Sequence, residues 1–310
     1  MSRVALVRNR ASTRNRVSGV QPAPAGVRLV EPDGLHAMTG ALCDAHAAGV
    51  DVIVVDGGDG TVREVLSRIP EIWGAALPRI GIVPRGNTNL IAREVGALRS
   101  HRAAAEVLRR VETGAALTEL RRPLLRIDYP SGEHAPVRGS IVGWGVYAES
   151  TRVGRHELTG RGSALVALTV FAMLTRVLVG GEGGALRQGV PVAMTVDGAA
   201  MPDGKRFIGV ATTLEGPLAA RMNPFWGEGP GPIRWLDILA PAVRAASAAP
   251  FLLRGKPARW MERAGYASGR ARRIELTLDT PFVIDGEAYP PPVSGPLMLS
   301  AAEEVTFISL

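Results

Sequence analysis

Val52-Ile-Val-Val-Asp-Gly-Gly-Asp-Gly-Thr61 decides how this chain is read. Four β-branched residues, Val52 to Val55, predict a buried strand. The chain then turns on Gly57, Gly58 and Gly60, with Asp59 between them. From Thr61 a helix is expected, because Val62, Val65, Leu66 and Ile69 recur at helical spacing. A strand, a glycine turn and a helix N-terminus in that order predict an anion site. Glycines let backbone N–H groups approach a phosphate, and the helix N-terminus adds partial positive charge. A carboxylate repels phosphate, so Asp59 is expected to face Mg²⁺, a ribose or a hydroxyl. Asp56 is expected to cap or orient the loop.

A second unit of the same kind follows. Arg79-Ile-Gly-Ile-Val83 reads as a strand, Pro84-Arg-Gly-Asn-Thr-Asn89 as a loop and Leu90–Val95 as a helix stopped by Gly96. Gly86 removes side-chain bulk, while Asn87, Thr88 and Asn89 are all N-cap types. Loops in consecutive βα units lie side by side at the carboxyl edge of a parallel sheet, where α/β ligands bind. Neither GxxxxGK[ST] nor GxGxxG after a strand is present.

Together these segments resemble the diacylglycerol kinase catalytic-domain family, which includes bacterial lipid kinases and sphingosine kinases. Its GGDGT-x-N-E-V signature aligns with Gly57–Val65, and its P-x-G-T-x-N with Pro84–Asn89. Its N-P-x-S-G aligns with Asn9-Arg-Ala-Ser12, and its Asp-Gly-Glu with Asp285–Glu287. Departures are Arg10 and Thr13 in the first motif, Arg63 for Asn, Asn87 for Thr, and Leu90 for Asp. The family's Asp-Gly-Leu segment, associated with a structural Mg²⁺, has its nearest counterpart in Gly229–Arg234, which lacks the Asp.

The resemblance implies an ATP- and Mg²⁺-dependent lipid kinase, with diacylglycerol or a sphingoid base as acceptor. It implies a nucleotide site built from Asn9, Ser12, Gly57, Gly58, Asp59, Gly60, Thr61, Gly86, Asn87, Thr88 and Asn89. Glu287 is then the general base and Asp59 a second catalytic group, with Asp59 and Asp285 as metal partners. Asp285 and Glu287 are expected on one face of an extended segment; read apart from the other motifs, Asp-Gly is a hairpin turn with two solvated acids. Two other readings stay open. GGDGT is shared with NAD kinases, and the departures admit a catalytically silent lipid- or nucleotide-binding protein.

Composition bounds the rest. The chain has 310 residues, enough for two domains with their own cores. Net charge is +7, carried mostly by arginine, without a dense basic run or a nucleic-acid motif. The resemblance implies a lipid substrate, while the arginine excess reads either as compositional bias or as a role at an anionic membrane surface, and nucleic acid is not expected. The single Cys43 excludes internal disulfides and Cys-rich zinc sites, and its Ala-rich setting predicts a small core residue. The start of the chain has too short an apolar run for a signal peptide, so the expected location is cytoplasmic, with peripheral contact at the inner membrane face.

Texture divides the chain. Residues 1–118 alternate strands (Val4–Val7, Val27–Val30, Val52–Val55, Ile80–Val83) with helices, which predicts a doubly wound parallel sheet. This is the expected nucleotide-binding α/β domain, of NAD kinase/diacylglycerol kinase type, with 300–310 a candidate returning strand. Residues 119–299 read as strands between Gly/Pro turns, among them Pro136–Trp144 and Ala271–Leu278, which predicts an antiparallel β-sandwich lipid domain. Asp197-Gly198 reads as a strand-joining turn and Ala240–Ala249 as a helix. Ala164–Thr175 is apolar but too short to span a bilayer. It reads as a core helix or as one at the acyl-chain pocket or interface. Asn223-Pro-Phe-Trp-Gly227 reads as a lipid entrance or a structural corner.

Overall fold

The computed structural model describes residues 3–18, 22–86, 89–148, 188–218 and 222–310. The chain forms two compact units, Met1–Pro123 with Glu303–Leu310, and Leu124–Ala302.

The first unit is the parallel α/β part. Its strands are β1 (Val4–Arg8), β2 (Arg28–Val30), β3 (Val52–Gly57) and β4 (Arg79–Pro84), in the order β2-β1-β3-β4. All pair in parallel, with Leu6 opposite Val54 and Val54 opposite Gly81. Every residue of β1 and β3 is buried. Strands covered on both faces need continuous rather than alternating apolar character, which Val52–Val55 supplies. The last strand, β16 (Leu297–Ser309), adds to this sheet through Phe307 and Ile308, parallel to β4. The helices are α1 (Thr13–Ser18), α2 (Met38–Ala47), α3 (Asp59–Trp73), α4 (Leu90–Val95) and α5 (Ala103–Thr113). α5 packs Ala104, Val107 and Leu108 over Val4, Leu6, Val52 and Val54. α3 buries Val62, Val65, Leu66, Ile69 and Trp73, and the Trp73 indole N–H donates to the Val50 carbonyl at 3.1 Å.

The second unit holds the antiparallel strands. β5 (Thr118–Asp128) leads into it, and β6 (Val137–Gly139), β7 (Ile141–Gly145), β8 (Val190–Val196), β9 (Ala199–Ala200) and β10 (Lys205–Thr212) follow. Then come β11 (Ile233–Leu239), helix α6 (Ala245–Arg254), β12 (Tyr266–Ala271), β13 (Arg273–Leu278), β14 (Phe282–Ile284) and β15 (Glu287–Tyr289). One run of pairings is β15-β14-β7-β10-β11-β12, and a second is β8-β13-β16. Leu125, Ile127, Met194, Ile274, Leu276 and Leu299 pack with Val142, Trp144, Trp235 and Phe282 in one apolar core between the two runs.

Local differences from the sequence reading have local causes. The strand expected at Ala271–Leu278 starts at Arg273, while Ala271 ends a separate strand, Tyr266–Ala271, whose sequence YASGRA offers little apolar alternation. Pro136–Trp144 breaks at Ser140, where another segment clasps the backbone. Cys43 is exposed on α2, not in the core, because α2 buries Met38, Leu42 and Ala45 instead. The apolar run Ala164–Thr175 lies outside the described residues. Among the described residues, no helix is long and apolar enough to cross a membrane.

Candidate functional site

The first loop turns tightly because its residues leave no room for anything larger. α3 begins at Asp59, two residues before Thr61, with Gly58 as an extended N-cap and no side-chain cap. The first turn of this 15-residue helix thus has no capping hydrogen bond from an N-cap side chain, a setting that favours an anion. A Cβ on Gly57 would lie 2.6 Å from Thr61 Cβ. A Cβ on Gly58 would lie 3.0 Å from Gly86 Cα, and one on Gly86 2.9 Å from Gly58 Cα. The glycines of the two loops therefore face each other, backbone against backbone.

Two further contacts fix the second loop on the first, and a third closes the second loop on itself. The Asn89 N–H donates to Asp59 Oδ2 at 2.7 Å. The Arg85 N–H donates to the Gly57 carbonyl at 2.8 Å. Asn89, at φ 50°, turns its side chain back onto Gly86, accepting from its N–H at 2.9 Å and donating to its carbonyl at 2.7 Å. Asn89 closes its own loop, so its side chain caps no amide of α4. Asn87 and Thr88 lie outside the described residues.

The N-terminal motif reaches the same place. Asn9 Nδ2 donates to Thr61 Oγ1 at 2.8 Å, and the Asn9 N–H donates to the Asp56 carbonyl at 3.2 Å. Ser12, buried, donates its N–H to the Asn9 carbonyl at 3.2 Å. Asn15, which the sequence reading passed over, is buried and donates to the carbonyls of Asn9 at 2.9 Å and Asp56 at 3.4 Å. Its only sequence signal is an amide three residues after the Asn9–Ser12 turn motif. The Arg14 N–H donates to the Arg85 carbonyl at 3.3 Å, tying α1 to the second loop.

Beneath the loops lies an ionic chain that sequence reasoning did not assemble. Asp56 is 2% exposed and takes Arg85 Nε at 2.7 Å and Arg8 Nε at 3.3 Å. Arg8 also reaches Glu31 at 3.3 Å, and Glu31 takes Arg10 at 2.6 Å. The Asp56 carboxylate therefore holds Arg85 of the second loop rather than capping the glycine loop that follows it. Burial, then Arg8, lower the pKa of the nearby His101. Arg63 is buried and pairs with Glu64 at 2.9 Å. Burial raises the Glu64 pKa, but hydrogen bonds from Arg63 and Arg68 outweigh it and hold the carboxyl below its ordinary range.

The Asp-Gly-Glu segment is not extended. Asp285 (φ 47°) and Gly286 (φ 82°) form a two-residue hairpin turn, and Glu287 opens β15 opposite Ile284. The two carboxylates therefore do not share a strand face. Asp285 accepts the Ser140 hydroxyl at 2.6 Å, the Ser140 N–H at 3.1 Å and the Ile141 N–H at 3.0 Å. Asp197-Gly198 does the same elsewhere in this unit. Asp197 has φ 47°, and its Oδ1 accepts the N–H groups of Arg272 and Arg273 at 2.9 and 2.8 Å. In both hairpins the aspartate clasps the backbone of a neighbouring segment. Among the described residues no three His, Cys, Asp or Glu side chains gather as a metal cage. A cavity of about 320 Å³ at Phe207, Pro241 and Arg244–Ser247 is lined by none of the sequence-predicted site residues.

Comparison with known proteins places the first unit near one family. Residues 10–118 match the diacylglycerol kinase catalytic domain, which covers both loops and establishes the resemblance for this part of the chain. "Probable lipid kinase YegS" of Escherichia fergusonii is 38% identical over 53 residues, 17% of this chain and 18% of that protein. "Probable lipid kinase YegS-like" of Citrobacter koseri is 36% identical over 53 residues, with the same shares. The aligned stretch thus spans under a fifth of these curated relatives. A diacylglycerol kinase from Bacillus anthracis str. Sterne superposes with a TM-score of 0.63 over 100% of this chain and 97% of that one, at 14% identity. That likeness is one of fold: an N-terminal parallel α/β part and C-terminal antiparallel strands.

Proposed function

We propose that this protein is an ATP-dependent kinase that phosphorylates a hydroxyl of diacylglycerol or a related lipid. The observation that carries the reading is the Gly58–Gly86 contact, pinned by Asp59 and Asn89 inside a matched catalytic domain. Two glycine loops locked backbone to backbone, beside a helix N-terminus with no side-chain cap, fit a polyphosphate. Mg²⁺·ATP, when bound, supplies the transferable phosphoryl group and the charge that offsets its oxygens. The described residues fit a metal carried in with the nucleotide better than one held in a protein cage.

The chain's own residues then have separate tasks. Backbone N–H groups of the Gly57–Thr61 turn hold phosphate, and Asn9 holds Thr61 in place. Asp59 fixes the second loop through Asn89 and contributes charge where phosphate and metal meet. Glu287 takes the proton from the acceptor hydroxyl as general base. Asp285 is a positioning residue, holding the turn from which Glu287 departs.

The test is direct. Pure protein incubated with labelled ATP, Mg²⁺ and a total lipid extract should transfer label to the organic phase. Label on NAD in solution instead, or ATP binding without any transfer, overturns the reading.

A further inference from the structure

Arg234 is a buried cation set among oxygens. It lies on β11 opposite Thr212 of β10 and is 5% exposed. Its Nη1 donates to the carbonyls of Leu214 at 2.8 Å, Glu215 at 2.6 Å and Gly216 at 3.4 Å. Its Nη2 donates to Asn223 Oδ1, and the guanidinium lies 4.5 Å from the centre of the Phe225 ring. A buried charge is costly unless its donors are met, and here one group gathers two separate stretches of chain to meet them. The Trp226 N–H donates to Ser268 Oγ at 3.0 Å, so Asn223–Gly227 is tied down as a structural corner.

The first of those stretches leads on to the Asp285 turn. The Leu214 N–H donates to Thr212 Oγ1 at 3.0 Å, and that hydroxyl donates to the Ser140 carbonyl at 2.6 Å. The Thr213 N–H donates to the same carbonyl at 3.3 Å. Asp285 holds Ser140 from its other side, through the N–H and the hydroxyl. An unbroken path of hydrogen bonds thus runs from Arg234 to the turn before Glu287, all within one compact unit.

The family resemblance implies a structural Mg²⁺ at a segment whose nearest counterpart is Gly229–Arg234. The residues here do not fit one. Gly229 to Ile233 carry no side-chain oxygen. A Cβ on Gly229 would lie 1.9 Å from the Arg270 carbonyl oxygen, and one on Gly231 2.0 Å from that of Ala271, so neither position takes an acid. Of the acids around the stretch, Glu228 is exposed, Glu215 pairs with Arg270, and Asp237 pairs with Arg206. A hard dication needs oxygen ligands, and the carbonyls gathered here already face a fixed positive charge that repels it.

We propose that the Arg234 guanidinium takes the place of a structural divalent cation in this chain and, through Leu214, Thr212 and Ser140, is a positioning residue for the Asp285 turn. Its planar fork suits the task, because it serves several oxygens in fixed directions. Only the bearing of that turn on Glu287 as general base rests on the function proposed above.

Two measurements test this on the full chain, and neither uses ATP or lipid, so a failed kinase reading leaves them standing. Calorimetry without nucleotide should give the parent the same melting temperature in EDTA as in Mg²⁺. A melting temperature that falls in EDTA and returns with Mg²⁺ overturns the proposal, because a bound ion then stabilises the fold. Amide exchange reads the positioning. Asp285 holds the N–H groups of Ser140 and Ile141, while Asp197 holds those of Arg272 and Arg273 in a clasp of the same build that serves as a control. Arg234→Met should speed exchange at Ser140 and Ile141 at least about tenfold relative to the control pair. Arg234→Lys keeps the charge without the fork and should fall between. Thr212→Val cuts the path while leaving Arg234 intact, and should act on the same two amides even where Arg234→Met does not fold. Equal acceleration of both pairs would reduce Arg234 to global stability, and unchanged exchange at Ser140 and Ile141 would break the path. Either result overturns the positioning role.

Discussion

Asp59 and Asn89, 30 residues apart in sequence, are joined by a 2.7 Å hydrogen bond from the Asn89 N–H to the Asp59 carboxylate. One aspartate thus holds the second loop against the first while standing at the start of α3. The sequence reading gave Asp59 only ligand-facing roles. Architecture and chemistry can be separated by substitution. Asp59→Asn keeps an oxygen that can accept the Asn89 N–H and loses the charge. It should change stability by less than about 1 kcal/mol and lower turnover at least about a hundredfold. Asp59→Ala loses the acceptor as well, and should cost about 1–2 kcal/mol more in denaturant titrations. Full turnover in Asp59→Asn would confine the residue to architecture.

The facing glycines make a second prediction. Gly58→Ala and Gly86→Ala each insert a methyl against backbone, at 3.0 and 2.9 Å, where no flexible side chain can yield. Each should separate the loops and weaken ATP affinity at least about tenfold, because the cradle depends on their register. Because both report on one contact, the double variant should lose much less than the sum. Calorimetric titration of the three variants measures this. Strict additivity would mean that the two glycines act independently.

Glu287 and Asp285 should behave differently although one residue separates them. Glu287→Gln should lower turnover by about 10²–10⁴ with ATP affinity unchanged, the range typical of general-base removal. Asp285→Ala strips the acceptor from two N–H groups and a hydroxyl. It should destabilise the fold by about 1–3 kcal/mol, as should Asp197→Ala, its counterpart in the other hairpin. Parent-like turnover in Glu287→Gln would move the base elsewhere. Parent-like stability in Asp285→Ala would remove its positioning role.

What could be read from sequence was what short-range pattern encodes. The strand at Val52–Val55, the helix after it and the hairpin at Asp197-Gly198 follow from periodicity and turn chemistry over a few residues. The Arg8–Asp56–Arg85 chain could not be read this way. Its members lie on three segments, and only the parallel register of β1, β3 and β4 brings them together. The Gly58–Gly86 contact is of the same kind: glycine signals a close approach but not to what. Asp-Gly-Glu failed differently. Its resemblance to a catalytic motif favoured an extended segment, while Asp-Gly at a hairpin is itself a strong local signal for the turn it adopts. Arg206 and Asp237 gave no signal at all, since nothing in a strand's pattern reveals that two inward charges will pair.

That last pair carries a pH prediction. Arg206 and Asp237 are fully buried or nearly so, and lie 3.0 Å apart across β10 and β11. Arg206 also donates to the carbonyls of Gly204 and Pro202, at 3.1 and 2.7 Å. Burial pushes the Asp237 carboxyl up to about 6 from 3.8, against the pull of Arg206. The folded state then holds this proton more tightly than the unfolded state between about pH 4 and 6. Because the native form binds more protons there, the Asp237 contribution to stability falls as pH rises through that window and is flat above it. The swing should be on the order of 3 kcal/mol. Urea unfolding of the parent and Asp237→Asn at half-unit steps from pH 4 to 8 isolates it, since the other carboxylates cancel in the difference. The difference should change between pH 4 and 6 and then hold constant. Parallel curves across the whole range would mean that Arg206 fully offsets the burial and that Asp237 is ionised throughout. A second readout bears on the same balance. Arg206→Met alone should cost about 3–5 kcal/mol, because it strands a buried carboxylate. Arg206→Met with Asp237→Leu should recover most of that loss, because a desolvated ion pair contributes little net stability beyond a well-packed apolar pair.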